Sequence, residues 1–196
     1  MYTEDRRQNW QNSIFLLTLG GNNMRTTETE TEDKLKISEL IEKCIKTSDC
    51  HEERSNQISN FVAIEHLATV FLTKLASVAS KAKIRIMGYP KLMQPDPKCG
   101  SITWINKDEA NWIDDQCVTL NNHIQAAVDS VKASNPSVDM EFVEVYTYLT
   151  VGACGDGAWN RHVHDERRIG LTATDASFHP SELGYAEYYE AFLCSI

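Results

Sequence analysis

The sequence predicts an α/β protein, one domain over residues 1–196, built on a parallel sheet covered by helices. Three observations carry that prediction. Short apolar runs alternate with long stretches of helical periodicity, in the order strand, helix, strand, helix, strand, helix. The segments between the strands are long crossovers, as parallel pairing requires. All three strand exits are chemically marked, and in open α/β sheets ligands gather beyond the carboxyl ends of the strands.

The first strand is Ile14 to Leu19, a short apolar run closed by Gly20-Gly21-Asn22-Asn23. Residues 24–34 are rich in Thr and Glu and read as a solvated loop. Near Asp33 a helix starts and runs through Leu35, Ile37, Leu40, Ile41 and Ile45. Cys44 and Cys50 close it; bonded, they would clip a small loop, worth about 2 kcal/mol in the chain-entropy account. Gln57 to Lys81 carries the strongest helical pattern, with Phe61, Ile64, Ala68, Phe71, Leu75 and Val78 among its apolar positions. "AKIRIMGYP", 82–90, is the second strand, leaving through Gly-Tyr-Pro. Residues 91–105 hold prolines, Cys99 and Trp104, and read as an irregular loop.

Lys107 to Ala133 is another long helix, and "MEFVEVY", 140–146, the third strand. An irregular stretch over 147–180 holds Cys154, Trp159 and three histidines. "PSELGYAEYYEAFL", 180–193, closes the chain as a helix with Pro at its first position, where a missing N–H costs nothing. The spacing of Tyr185, Tyr188, Tyr189 and Phe192 predicts helix packing. Tyr89 is placed either to line a site or only to pack.

Hydrophobic residues make up 42 %, a globular composition. The formal charge of −9, with acidic residues spread along the chain, argues against nucleic acid, whose phosphates need a Lys/Arg face. No apolar run reads as long enough to cross a membrane, so no transmembrane segment is expected. The polar start, MYTEDRRQNWQN, has no apolar core of a signal peptide. The even cysteine count suits an oxidising compartment. Cys99 with Cys154 is plausible by position, while Cys117 and Cys194 stay unassigned. His162, His164, Asp165 and Glu166 could bind a metal, against the commoner reading of a solvated charged loop. His51, His66 and His123 have no partner in sequence. Oligomeric state is left open.

Two elements could carry chemistry. In Gly20-Gly21-Asn22-Asn23 the glycines let backbone approach a ligand closely. An Asn after them offers an amide donor, and a donor fixed at a strand exit can stabilise an oxyanion in acyl transfer. A tight turn favours the same residues. In "SFHPSELGY", 177–185, His179 stands just before a helix; an imidazole at a catalytic edge is a suitable general base. A helix-start His that only caps or packs would look the same.

In this order, the Gly-Gly-Asn strand exit, the Gly-Tyr-Pro exit and a late "FHP…G" before the last helix resemble the SGNH (GDSL-type) esterase/lipase superfamily. "LNNHIQAAV", then "VDMEFVEVY" and a Gly-x-Cys, look like its secreted fungal and actinobacterial branch. The resemblance covers most of the chain from Ile14 onward. It implies a three-layer α/β/α fold of flavodoxin-like kind, ester hydrolysis by a serine, an ester of a small molecule, lipid or glycan as substrate, an extracellular location, and no metal or cofactor. Asn22 then matches the oxyanion-hole asparagine, Gly21 the glycine shaping the turn before it, and His179 the catalytic base. An Asp three residues before that His orients it in many relatives; here Ala176 stands there and Asp175 one residue further back. Asp175 is the candidate orienter, against an ordinary loop Asp. Asn23 stands where the family usually has Asp.

The family's nucleophile belongs to a Gly-Asp-Ser segment well upstream of the Gly-Gly-Asn strand. Only 19 residues precede Gly20 and they hold one serine, Ser13, at the wrong end of the strand. The nucleophile is therefore unknown, and the resemblance implies that the chain is the C-terminal portion of the family's domain. The Ile14–Leu19 strand is then expected to carry an unpaired edge, which invites another chain. The alternative is a catalytically inactive derivative that binds a lipid, glycan or protein.

Overall fold

The computed structural model describes residues 13–19, 44, 61–94, 105–149, 151–152 and 182–196. Among them, β1 (Ile14–Leu17), β2 (Lys83–Met87) and β3 (Asp139–Val143) form one parallel sheet in the order β1-β2-β3. The register sets Phe15 beside Ile84 and Ile84 beside Met140. Two helices precede β2 and β3: α1 (Phe61–Val78) and α2 (Lys107–Ser134). A third, α3 (Glu182–Leu193), closes the chain.

Side chains of a strand alternate between faces, and the register decides what each face carries. One face presents Phe15, Leu17, Ile84, Ile86, Met140 and Phe142. It packs on α1 through Phe61, Ile64, Ala68, Leu72 and Ala76, and on α2 through Leu120, Ile124, Ala127, Val128 and Val131. The opposite face presents Met87 and Val143, which pack with Val145, Leu149 and the α3 residues Ala191, Tyr188 and Phe192. Helices thus lie on both sides of a parallel sheet, the three-layer α/β/α arrangement expected from sequence.

α2 starts where its sequence dictates. Asn106 caps it, its Oδ1 accepting from the Asp108 and Glu109 amides at 2.9 and 3.0 Å, while Glu109 reaches back to the Asn106 amide at 2.8 Å. On α1, Glu65 pairs with His123 of α2 at 2.6 Å, and Phe61 stacks on the same imidazole. His123, unpartnered in sequence, is thereby an inter-helix contact.

α3 runs antiparallel to the strands. The Tyr188 hydroxyl donates to the Gly88 carbonyl just past β2, while Arg85 Nε donates to the Ser195 carbonyl and Lys83 Nζ to the Ile196 carbonyl, nearer the start of β2. Arg85, almost fully buried, also holds Asp139 at 2.7 Å. The amino end of α3 therefore faces the carboxyl edge of the sheet.

Some expectations need correction. β2 ends at Met87 rather than running on to Pro90, and β3 spans Asp139–Val143 rather than 140–146. Tyr185 and Tyr189 are exposed, 57 % each, so of the four aromatics on α3 it is Tyr188 and Phe192 that pack on the core. α1, with 18 residues, is long and apolar enough by length and composition to cross a membrane. The run-length reading missed this because Glu65, His66 and Lys74 interrupt the run without lowering its mean far. Cys44 is helical, buried and disulfide-bonded, while Cys117 and Cys194 are free thiols. The rest of the helix expected from Asp33 to Ile45, Cys50, Cys99 and Cys154, and His162, His164, Asp165 and Glu166 lie outside the described residues.

Candidate active site at the carboxyl edge of the sheet

Parallel strands end on one side, so the exits of β1, β2 and β3 share a rim. β1 leaves through Thr18 and Leu19 towards Gly20. β2 leaves through Gly88 to Gln94, and β3 through Glu144 to Leu149. The β2 exit is the best-anchored part. Asn121 of α2 clasps Tyr89 at both backbone groups: its Oδ1 accepts from the Tyr89 amide at 2.7 Å and its Nδ2 donates to the Tyr89 carbonyl at 2.8 Å. That clasp forces close approach at Gly88, where a Cβ would lie 2.7 Å from Phe142 Cζ and 3.3 Å from Asn121 Oδ1. One turn earlier on α2, the Cys117 thiol donates to the Pro90 carbonyl at 3.2 Å.

Asp114 completes the row. Its Oδ2 accepts from the Tyr146 hydroxyl at 2.5 Å and lies 4.0 Å from Lys91 Nζ. Burial lifts the Asp114 carboxyl above the usual range, against the pull of the Tyr146 hydroxyl, the Lys91 ammonium and the amides of Leu92 and Met93. Burial, then the Asp114 charge, pushes the Cys117 thiol far up, so it stays protonated and is no nucleophile. The chain also crosses itself here: a Cβ on Gly152 would lie 2.7 Å from the Met93 backbone. That is the glycine of the Gly-x-Cys noted in the sequence, and it serves this crossing.

Asp114, Cys117 and Asn121 were missed as site-building residues. Their signal was present: three polar or thiol side chains at i, i+3 and i+7, on the same stripe of α2 as Ile113, Leu120 and Ile124. A polar residue on a core stripe needs a partner, and here the partner is the backbone of the β2 exit. Tyr89, left open between lining a site and packing, is half-buried against two core clusters and held by its main chain.

Gly21, Asn22, Asp175 and His179 all lie outside the described residues. Their flanks do not. Leu19 stands three residues before Asn22 on the β1 exit, and Glu182, the first residue of α3, three residues after His179. Ser13 sits at the amino end of β1, where its carbonyl accepts from the Lys83 amide, at the opposite end of the sheet from this rim. The other serines among the described residues lie in the C-terminal parts of α1 and α2, just beyond those helices, or beside Arg85. None of them lies at the carboxyl rim, and no cluster of three metal-ligating side chains occurs among the described residues.

Comparison with solved structures fits this architecture. The chain superposes on a phospholipase A1 from Streptomyces albidoflavus NA297 with a TM-score of 0.72 at 17% identity, over 94% of this chain and 69% of that one. The fold is that of the SGNH-type hydrolases. An extracellular lipase from Streptomyces rimosus aligns over the same shares, with a TM-score of 0.57 and 14% identity. No protein-family model matches the sequence, and no curated protein sequence matches it. At such identities the likeness is one of fold, and it agrees with the SGNH resemblance drawn from the strand exits.

Proposed function

We infer that this chain is an SGNH-type ester hydrolase domain of a secreted lineage, whose acyl-transfer site lies on the carboxyl rim of its sheet. The observation that carries the reading is the convergence of two flanks. β1 exits onto the rim three residues before Asn22, and α3, with its amino end facing the same rim, begins three residues after His179. Three residues span at most about 10 Å, a reach that allows both side chains to come to that rim. There the Asn22 amide, positioned by Gly21, would hold the oxyanion of a tetrahedral intermediate, and His179 would take the proton of a serine hydroxyl. Asp175 is the candidate to orient that imidazole. The fold neighbours, one a phospholipase A1 and one an extracellular lipase, fit an ester of a lipid or small molecule and an extracellular setting.

The nucleophile is not among the residues described at the rim, and no Gly-Asp-Ser segment precedes Gly20 in this sequence. The nucleophile of this reading is unassigned. Purified chain is expected to hydrolyse p-nitrophenyl esters no faster than buffer. Robust turnover, abolished by His179→Ala, would overturn the missing nucleophile and keep the site. A crystal structure with Asn22 and His179 at opposite ends of the sheet would overturn the site itself. The absence of a rim serine among the described residues favours a second reading, a non-catalytic binding module. Binding of a lipid or glycan that His179→Ala leaves unchanged would support that one instead.

A further inference from the structure

Apolar residues occur on every side of α1, yet only one side is covered. Five of its 18 residues are buried, and they face the sheet and α2. A helix that is apolar all round is ordinarily enclosed, in a core or in lipid. On the uncovered side Val62, Leu67, Val70, Phe71 and Val78 stand between 46 % and 70 % exposed. α2 packs on the same sheet face and gives the contrast. Its exposed positions include Asn111, Asp115, Asn122, Gln125 and Asp129, and Val118 is its one exposed large apolar side chain.

Successive helix residues turn by about 100°. Val70 therefore points away from the buried Phe61, and Val62 lies beyond Glu65, on the flank where Glu65 meets His123 of α2. Phe71 and Val78 lie on the opposite flank, with Leu67 between them and Val70. An element placed beside β1 would reach Phe71 and Val78, but not Val62 or Val70. The chain carries a charge of −9, yet this outer half of α1 holds no free carboxylate. Glu65 is engaged by His123 at 2.6 Å; the exposed titratable groups are His66 and Lys74, and Lys81 follows the helix. The hydroxyls are turned inward. Thr69 donates to the Glu65 carbonyl, Thr73 to that of Thr69 and Ser77 to that of Lys74, at 2.8, 2.7 and 2.7 Å. Such back-bonding lets Ser and Thr sit in apolar surroundings with no unpaired donor.

We propose that the outer face of α1 seats this protein on a lipid surface that carries anionic headgroups. The acyl region takes Val62, Leu67, Val70 and Phe71, and the Lys74 stem lies along them with its ammonium among the headgroup phosphates. Charge selects this occupant. A strongly acidic chain is repelled by an anionic bilayer everywhere except where carboxylates are missing and lysines stand, so the field turns α1 towards the lipid. The face lies along the side of the molecule, away from the strand exits. Seating on lipid therefore leaves the rim open, and speaks neither for nor against acyl transfer there.

Flotation of the intact chain with vesicles tests this, using phosphatidylcholine alone and an equal mixture with phosphatidylglycerol. The wild type is expected to float with both, and to bind the mixture more tightly. Leu67→Glu with Val70→Glu weakens binding to either by about ten-fold or more, while the helical circular dichroism and the cooperative melt stay in place. Lys74→Gln weakens binding to the mixture alone, by about five-fold for one lysine at an anionic surface. Val118→Glu on α2 adds a charge of the same sign and leaves binding unchanged. A wild type that floats with neither vesicle overturns the proposal; if it also sediments as a dimer that the double substitution dissociates, the face belongs to a second copy instead. Binding that survives the double substitution, or is lost equally through Val118→Glu, overturns it as well. Should the double variant unfold, Lys74→Gln decides: undiminished binding to the mixture overturns the proposal.

Discussion

Asn121 shows how one side chain fixes a loop at the rim of the sheet. A carboxamide offers one acceptor and two donors, and a peptide unit offers the complement, so Asn121 replaces a strand partner for Tyr89 just where β2 leaves the sheet. Asn121→Ala removes both side-chain bonds to the Tyr89 backbone in a part-buried setting and is expected to destabilise the fold by about 1–3 kcal/mol in urea denaturation. Asp114 acts on the same loop with a pH signature. Its pKa is raised in the folded state, so the folded protein holds more protons than the unfolded chain between the unfolded value, about 3.9, and the raised one. Stability then falls as pH rises through that window, and the loss is complete above the folded value. Melting temperature against pH should show this decline in the wild type relative to Asp114→Asn; parallel curves would exclude it. Neither role was visible as function in the sequence, because a polar residue on a helix stripe does not say which backbone it will meet.

The elements were more legible than the loops that end them. α1 and α2 were readable because Ile64, Ala68, Leu72 and Leu120, Ile124, Val128 and Val131 repeat at the helical period over many turns. The capping box at Asn106 shows that local chemistry sets the start of α2 to the residue. Asn106→Ala removes the acceptor for two first-turn amides and is expected to lower stability by about 1 kcal/mol, read as a shift in the urea midpoint. Strand ends were overrun because their stops are set by side chains acting across short distances. Glu144 accepts from the Tyr146 and Thr147 amides at 2.6 and 2.9 Å, and the chain turns there although Val145 and Tyr146 have strand propensity. At β2 the stop comes from α2, more than thirty residues away in sequence, and no local pattern announces it.

At the scale of the molecule, strand and helix alternation sufficed to give a parallel α/β sheet with helices on both faces. The unpaired edge of β1 was instead an expectation from the family resemblance, and the sheet among the described residues has β1 as an outer strand. The side chains proposed for catalysis, Asn22 and His179, lie outside those residues, and the structure describes only their flanks, the rim and the clamp on the β2 exit. The apolar outer flank of α1 was not read as a surface. Its residues were counted towards a core helix, and periodicity alone does not distinguish a stripe facing the core from one facing a neighbour.

The grip of β2 on the end of the chain has a practical corollary. Lys83 and Arg85 bond to the last two carbonyls, so residues 195 and 196 serve as a latch on the central strand. Removing that pair would strip a nearly buried guanidinium of one acceptor and leave it to Asp139 and the Ile84 carbonyl. An intact-mass measurement therefore belongs before any melt.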